Sequence, residues 1–178
     1  MRPAGAVLIL LLGLAACRRD GRSAEEVPQS AETPVEAFFR YGPVTLGETS
    51  AAVRAALGQP DSVVTAPVPN RHDPAVTDSL STLYYRGLRA EFFRAGYDGR
   101  ELLSALDIFD DRYLRPDSPL RMGMAEAEVR LALGEPSTAA GGVLGYVCSS
   151  CDAAGNDVLE LRLLRGQLQR ITLRYWLD

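Results

Sequence analysis

The chain has 178 residues and a formal net charge of −4, from 19 basic and 23 acidic residues. This acidic balance argues against nucleic-acid binding, which needs a broad basic surface, while a hydrophobic fraction of 47% is enough for a globular core. All 19 basic residues are arginine, which reflects either a GC-rich genome or a surface suited to bidentate pairing with carboxylates. The sequence contains no Gly-rich phosphate loop and no Gly-x-Ser-x-Gly elbow, so we predict no cofactor.

Residues 1–16 have the features of an export signal. Arg2 supplies a positive charge, and Ala6 to Leu14 is an apolar stretch too short to span a bilayer as a helix. The following Ala15-Ala16-Cys17 completes a sequence that resembles a bacterial lipobox. We therefore predict a lipoprotein signal peptide at 1–16 and lipidation of Cys17; the alternative is a plain secretory signal followed by a chance cysteine. By resemblance to such lipoproteins, Arg18 implies sorting to the outer membrane, facing the periplasm.

Residues 17–34 are polar and lack periodicity, which predicts a disordered tether between the membrane and the folded part. The apolar residues of Val35 to Tyr41 then indicate a short amphipathic helix. Pro34 suits the first helical position, and Gly42-Pro43 ends the helix.

A segment of eighteen residues occurs twice. Pro43 to Pro60 returns as Pro119 to Pro136 at a constant offset of 76 (119 − 43 = 76 and 136 − 60 = 76), and nine of the eighteen pairs are identical. A constant period in sequence indicates a repeated structural unit.

Each copy of the segment predicts a helix. Thr49 stands at the N-cap position of the first copy, whereas the second copy has Ala125 there and Glu128 at the third helical position, so each keeps half of a capping box. Gly58 and Gly134 suit the left-handed conformation that ends a helix.

Strands are predicted after each repeated helix, because the residues there are β-branched, aromatic or alternating. In the last two strands apolar and polar residues alternate, so one face is predicted to be buried and the other open to solvent. The intervening stretch Ala66 to Leu80 reads as a long loop that holds the single histidine. The predicted strands are Ser62–Thr65, Thr82–Tyr85, Leu88–Phe93, Leu103–Phe109, Gly145–Cys148, Val158–Leu163 and Leu168–Trp176.

These elements predict an α+β fold of two tandem repeats, each a helix-loop-helix packed on an antiparallel β-sheet. The first repeat is predicted over 35–110 and the second over 111–178. A unit of this size buries roughly 60% of its unfolded surface and is marginal alone, so we expect the two to share a core.

The pattern Gly-x-x-x-x-x-Val-Arg-x-x-Leu-Gly-x-Pro, followed by an aromatic strand and a hairpin, resembles a known superfamily. This superfamily contains the β-lactamase inhibitory protein (BLIP) fold and the SmpA/OmlA (BamE-like) outer-membrane assembly lipoproteins. The tandem arrangement is similar to BLIP, and the lipobox is similar to the assembly lipoproteins. The resemblance covers most of residues 35–178 and implies a BLIP-like fold; we transfer no BLIP contact residue to this chain. The matching positions are Gly47, Val53, Leu57, Gly58 and Pro60, and Gly123, Val129, Leu133, Gly134 and Pro136.

Cys148 and Cys151 are the only reactive-looking pair. In an exported chain a structural disulfide is expected. A thiol–disulfide redox site would need a thiolate stabilised by a helix N-terminus, and zinc would need further ligands, of which only His72 is at hand. We predict a disulfide and no metal.

Other polar residues give weaker signals. His72 lies in a polar loop beside Arg71, where an exposed histidine is more ordinary than a general base. Asp107, Asp110 and Asp111 lack the spacing of a calcium loop and are expected to end a strand and cap the next turn.

The polar face of the sheet is the best candidate for binding, because arginine mixed with aromatic residues is favoured at protein interfaces. The alternative is an ordinary solvated face. The predicted protein-binding face comprises Arg89, Glu91, Phe93, Arg162, Arg170, Arg174 and Trp176.

Together these features predict a lipid-anchored envelope protein that binds an envelope or secreted protein and is not an enzyme. A role in outer-membrane assembly or envelope integrity follows from the lipobox resemblance. Inhibition of a secreted or periplasmic enzyme is the alternative that the tandem resemblance implies. A thiol–disulfide redox protein is the most distant alternative.

Overall fold

A computed structural model of the chain describes residues 31–151 and 156–175. The predicted signal peptide, Cys17 and Trp176 therefore lie outside the described residues. The elements are α1 (Pro34–Tyr41), α2 (Ser50–Leu57), β1 (Ser62–Pro69), β2 (Thr77–Tyr85), β3 (Leu88–Arg94), β4 (Glu101–Ile108), a 3-10 turn (Asp111–Tyr113), α3 (Glu126–Leu133), β5 (Thr138–Ala140), β6 (Val143–Cys148), β7 (Asp157–Leu164) and β8 (Gln167–Arg174).

All eight of these strands belong to one antiparallel sheet in the order β1-β2-β3-β4-β8-β7-β6-β5. Strands β1–β4 come from the first half of the chain and β5–β8 from the second. The halves meet where β4 pairs with β8, from Ala105 opposite Arg174 to Ile108 opposite Ile171.

The predicted fold class is wrong. The described residues form one eight-stranded sheet with three short α-helices, not two repeats that each pack a helix-loop-helix on a sheet. The counterpart of α1 in the second half is only the 3-10 turn, which Asp110 caps and Pro116 follows. Each α-helix has eight residues, which is too short to be stable without the packing that the sheet provides.

The helices that do form use the predicted caps. Thr49 accepts a hydrogen bond from the Ala52 N–H at 3.2 Å, and Glu128 accepts one from the Ala125 N–H at 2.7 Å. Gly58 and Gly134 have φ of 84° and 85°, a conformation that favours glycine. Helices α2 and α3 therefore begin and end at positions that differ by 76 residues, which is the offset between the two copies of the segment.

One face of the sheet carries the hydrophobic core. Phe38 of α1, Val53 of α2 and Val129 of α3 are fully buried and belong to the same cluster as Leu83 of β2 and Leu173 of β8. All three helices therefore cover this face. We call the opposite face, which the described helices leave uncovered, the open face.

The predictions were confirmed for the central residues of seven strands, although the observed strands begin or end at other residues than predicted. The predicted loop from Ala66 to Leu80 was wrong, because β1 continues to Pro69 and β2 begins at Thr77. Most residues at this end of β1 are exposed, and the one buried residue at the start of β2, Asp78, is polar, so apolar alternation does not reveal these ends. Strand β5, whose three residues are all exposed, was missed for the same reason.

Because β8 lies at the junction of the halves, we predict that Leu173→Ala destabilises the whole sheet in a single transition. Leu173 is fully buried between Leu106 and Leu159 in the strand register. The cavity is expected to lower the free energy of unfolding by about 2–5 kcal/mol, measured by urea denaturation.

Leu131→Ala is the matched control, because Leu131 is 89% exposed on α3. A second, unshifted transition in Leu173→Ala would show that the halves unfold independently and would contradict the prediction.

Candidate functional site

The strand register brings the predicted binding residues onto the open face. Those within the described residues are Arg89, Glu91 and Phe93 of β3, Arg162 of β7, and Arg170 and Arg174 of β8. Trp176, the seventh, lies outside them. The alternation of the strands, which places every second side chain on the same face, explains why these positions are together.

Asp107 of β4 lies at the centre of the open face and is only 1% exposed. Its carboxylate accepts hydrogen bonds from Arg89 Nε at 2.5 Å and from Thr172 Oγ1 at 2.5 Å. Arg89 Nη2 also forms an ion pair with Asp107. These contacts connect β3, β4 and β8, so this buried carboxylate ties the two halves together on the side opposite the core.

Asp107 lies within β4 and does not cap the turn that follows, contrary to the prediction. That role belongs to Asp110, which accepts a hydrogen bond from the Arg112 N–H at 3.0 Å. A signal was present, because Asp107 interrupts an apolar run and β3 offers Arg89 at the opposite position. Only the register reveals this pairing.

The remaining arginines of the open face differ in their partners. Arg174 pairs with Glu160 of the adjacent strand at 3.2 Å. Arg170 has its Nε 3.8 Å from Asp107 Oδ1, which is an ion-pair distance and too long for a hydrogen bond. Arg162 lies directly opposite Arg170 in the ladder and has no ion pair within the described part of the chain.

A groove of about 540 Å³ occupies one end of the open face. Val68, Phe93 and Leu102 give it apolar surface, and charged and aromatic side chains of the two neighbouring hairpin turns complete it. It joins the predicted face to the predicted histidine loop. Its remaining lining residues are Pro69, Asn70, Arg71, His72, Asp78, Ala95, Tyr97, Asp98, Arg100 and Tyr175.

Two carboxylates fix the shape of the groove. Asp78 is 4% exposed and accepts hydrogen bonds from Asn70 Nδ2 at 3.0 Å and from the Gly96 N–H at 2.8 Å. Asp73 accepts one from the Tyr97 hydroxyl at 2.9 Å. The β1–β2 and β3–β4 turns are therefore joined to each other, which makes the groove a preformed surface.

The Asp73–Tyr97 hydrogen bond affects the ionisation of both groups. The Ala75 N–H and the Tyr97 hydroxyl lower the pKa of Asp73, and the bond to Asp73 raises the pKa of Tyr97. His72 is exposed beside this pair. Its ring makes no hydrogen bond within residues 31–151 and 156–175, so nothing described here orients it as a base.

A second cavity, of about 500 Å³, separates residues 43–48 from β4. In the second half the corresponding gap is closed, because the Gly123 N–H donates to the Leu168 carbonyl at 2.7 Å and the Leu168 N–H to the Met124 carbonyl at 2.8 Å. In the first half Glu101 instead accepts from the Ser50 N–H at 2.8 Å. The two copies therefore differ at this position.

The predicted disulfide between Cys148 and Cys151 is present in the structure, with Cα atoms 5.4 Å apart. Cys148 ends β6 and is 1% exposed. The turn that follows contacts α1, because Ser150 donates a hydrogen bond to Glu36, and this bond lowers the pKa of Glu36 together with one from the Thr33 N–H. The disulfide therefore lies where the end of a strand meets a helix.

Neither a metal cluster nor a spanning helix is found in the described part of the chain. No three His, Cys, Asp or Glu side chains are placed to hold a metal ion there. No helix among residues 31–151 and 156–175 is long and apolar enough to cross a membrane.

Comparison with protein-family models, with curated proteins and with solved structures finds no match to this chain. The resemblance to the BLIP and SmpA/OmlA superfamily therefore stays a prediction.

We predict that Asp107→Asn lowers stability, because the amide removes the charge that pairs with Arg89 and leaves one acceptor oxygen where Arg89 and Thr172 now use two. Arg89 is 38% exposed in its side chain, so the loss should be smaller than for a fully buried pair, about 2–3 kcal/mol. Urea denaturation measures this difference.

Asp117→Asn is the matched control, since the Asp117 side chain is 71% exposed. An equal loss of stability in the two variants would show that Asp107 has no special role.

We predict that Tyr97→Phe raises the pKa of Asp73 toward its ordinary value, because one of two stabilising hydrogen bonds is removed. A carboxylate whose pKa is lowered on folding stabilises the protein above its unfolded pKa, and this contribution is lost as the pH falls through the folded pKa. The variant should therefore lose less stability over that acidic range than the parent.

Carboxyl NMR titration of Asp73 measures this change. Tyr84→Phe, on the same face but without a hydrogen bond from its hydroxyl in the described structure, serves as control. An unchanged Asp73 pKa in Tyr97→Phe would contradict the prediction.

Proposed function

We propose that this protein is a lipid-anchored, non-catalytic binding module that presents the open face of its sheet to a protein of the bacterial envelope. The observation that carries the proposal is the asymmetry of the sheet. Three helices cover one face, while the other displays arginine, carboxylate and aromatic side chains across strands from both halves.

The organisation of the open face supports binding. Arg89 is held by a buried carboxylate, so little side-chain freedom remains to be lost on association, and such preorganisation lowers the cost of binding. Exposed apolar side chains flank the charged strands on both sides, among them Val64 at 53%, Tyr84 at 37% and Val147 at 51%. This mixture of arginine and aromatic residues is typical of protein interfaces.

The groove supports the same proposal. It opens on the same face, and its turns are fixed to each other through Asp73 and Asp78. A pocket beside a flat surface allows one side chain of a partner to be enclosed, which is the arrangement of an interface hot spot.

The anchor is the second part of the proposal. The lipobox ending at Cys17 is the support for it, and a lipid-anchored chain would meet its partner close to a membrane. Envelope assembly or integrity is the process in which we place the protein, because the lipobox resembles that of the assembly lipoproteins.

In vivo photo-crosslinking tests the proposed function. We expect p-benzoylphenylalanine at Tyr84 and at Val147, on opposite halves of the open face, to give adducts with the same envelope protein. The adducts should be identified by mass spectrometry.

Leu131 provides the matched control, because it is the most exposed large apolar residue on the helix-covered side, at 89%. Adducts that form equally well from Leu131, or none from either open-face position, would contradict the proposal. A secreted enzyme as the crosslinked partner would instead support the inhibitor alternative.

A further inference from the structure

The ladder between β7 and β8 places two arginines directly opposite each other on the open face. Arg162 and Arg170 are register partners, so their Cβ atoms are about 5 Å apart. Like charges at directly opposed positions destabilise a sheet. The folded chain alone therefore gives no reason for this pair.

Neither guanidinium has a complete set of acceptors in the described structure. Arg162 is exposed and makes no hydrogen bond or ion pair there. Arg170 is less accessible, with 28% of its side chain exposed, and its Nε is buried without a hydrogen-bond partner among residues 31–151 and 156–175. A buried donor without an acceptor costs free energy and is rare in native proteins.

Asp107 does not resolve this imbalance. Its Oδ2 accepts from Arg89 Nε and its Oδ1 from Thr172 Oγ1, and Arg170 Nε, 3.8 Å from Oδ1, lies beyond hydrogen-bond distance. Glu160, the other nearby carboxylate, pairs with Arg174 at 3.2 Å.

The result is a local excess of positive charge on an acidic protein. Arg162 and Arg170 lie opposite each other, and among the described residues neither has a carboxylate at hydrogen-bond distance, whereas the whole chain has a net charge of −4. A carboxylate at this position would contact the exposed part of the two opposed guanidinium groups and neutralise their mutual repulsion.

We propose that Arg162 and Arg170 form a binding site for a carboxylate of an acidic segment on the protein partner. The inference rests on the proposed function, because it names the partner chemistry that one part of the open face recognises. Arginine suits this role, since its planar fork matches a carboxylate in a bidentate arrangement.

The neighbouring charges favour an acidic protein segment over an anionic membrane. Glu91 and Glu160 lie on the same face, on either side of the junction between the two halves. An anionic membrane presents negative charge across its whole surface and would be repelled by these carboxylates. One acidic side chain of a protein segment, in contrast, contacts the arginine pair alone.

NMR of the arginine Nε–Hε groups tests the site directly. The full chain, reconstituted in phosphatidylcholine nanodiscs, is titrated with an acetylated, amidated Gly-Glu-Glu-Glu-Gly peptide and with the same peptide carrying glutamine in place of glutamate. We expect saturable shifts of the Arg162 and Arg170 signals with the glutamate peptide only.

The double variant Arg162→Gln/Arg170→Gln should weaken binding of the glutamate peptide about tenfold or more, because two charge-assisted contacts are lost. It should remain folded, since the substitution removes a like-charge pair. Arg54→Gln on α2, which has no contact with the open face in the described structure, is the control and should bind as the parent does.

Equal shifts with both peptides, or none, would overturn the inference. So would larger shifts of the two arginine signals on adding phosphatidylglycerol to the nanodiscs than on adding the glutamate peptide, which would assign the site to lipid.

The crosslinking experiment separates this inference from the proposed function. A lower adduct yield from Tyr84 and Val147 in the double arginine variant would support the inference. An unchanged yield would overturn the inference and leave the proposed function standing, while absence of adducts in the parent would overturn the proposed function itself.

Discussion

The pairing of β4 with β8 is the interaction on which the rest of the structure depends. Only four register pairs join these strands, yet they connect every strand of one half to every strand of the other. On the covered side the junction places Leu106 opposite Leu173 within the core, and on the open side it places Asp107 opposite Thr172. The same short ladder therefore completes both the hydrophobic core and the polar centre of the open face.

The two sides of this junction are stabilised differently. Burial of leucine is tolerant of small displacements, whereas the carboxylate of Asp107 must meet Arg89 and Thr172 at hydrogen-bond distance. A shift of one residue between β4 and β8 would move Asp107 onto the apolar face without partners. The polar contact thus specifies the register that the apolar contact alone would leave less defined.

The sequence predicted the individual elements better than their arrangement. Helix caps at Thr49 and Gly134 depend on neighbouring residues and were visible in the sequence. The single sheet was not, because alternation shows which face a residue occupies and not which strand lies beside it. In the second half the counterpart of α1 is only a 3-10 turn, which Pro116 follows.

The candidate site, too, was predicted only in part from the sequence. The face residues were predicted from alternation, and the six that the structure describes lie on one face as expected from the strand period. The buried role of Asp107 and the opposed pair of Arg162 and Arg170 were missed, because each is a relation between strands that only the register defines. The groove was missed for a related reason, since two separate hairpin turns create it.

Strand β1, one edge of the sheet, has Pro67 and Pro69 at alternate positions. Alternate residues of a strand direct their backbone groups to the same side, and proline has no N–H to donate. Half of this edge therefore cannot complete a ladder with a strand of another molecule. If the chain is concentrated in the plane of a membrane, as the proposed lipid anchor implies, this edge limits polymerisation while the open face stays available for the proposed partner.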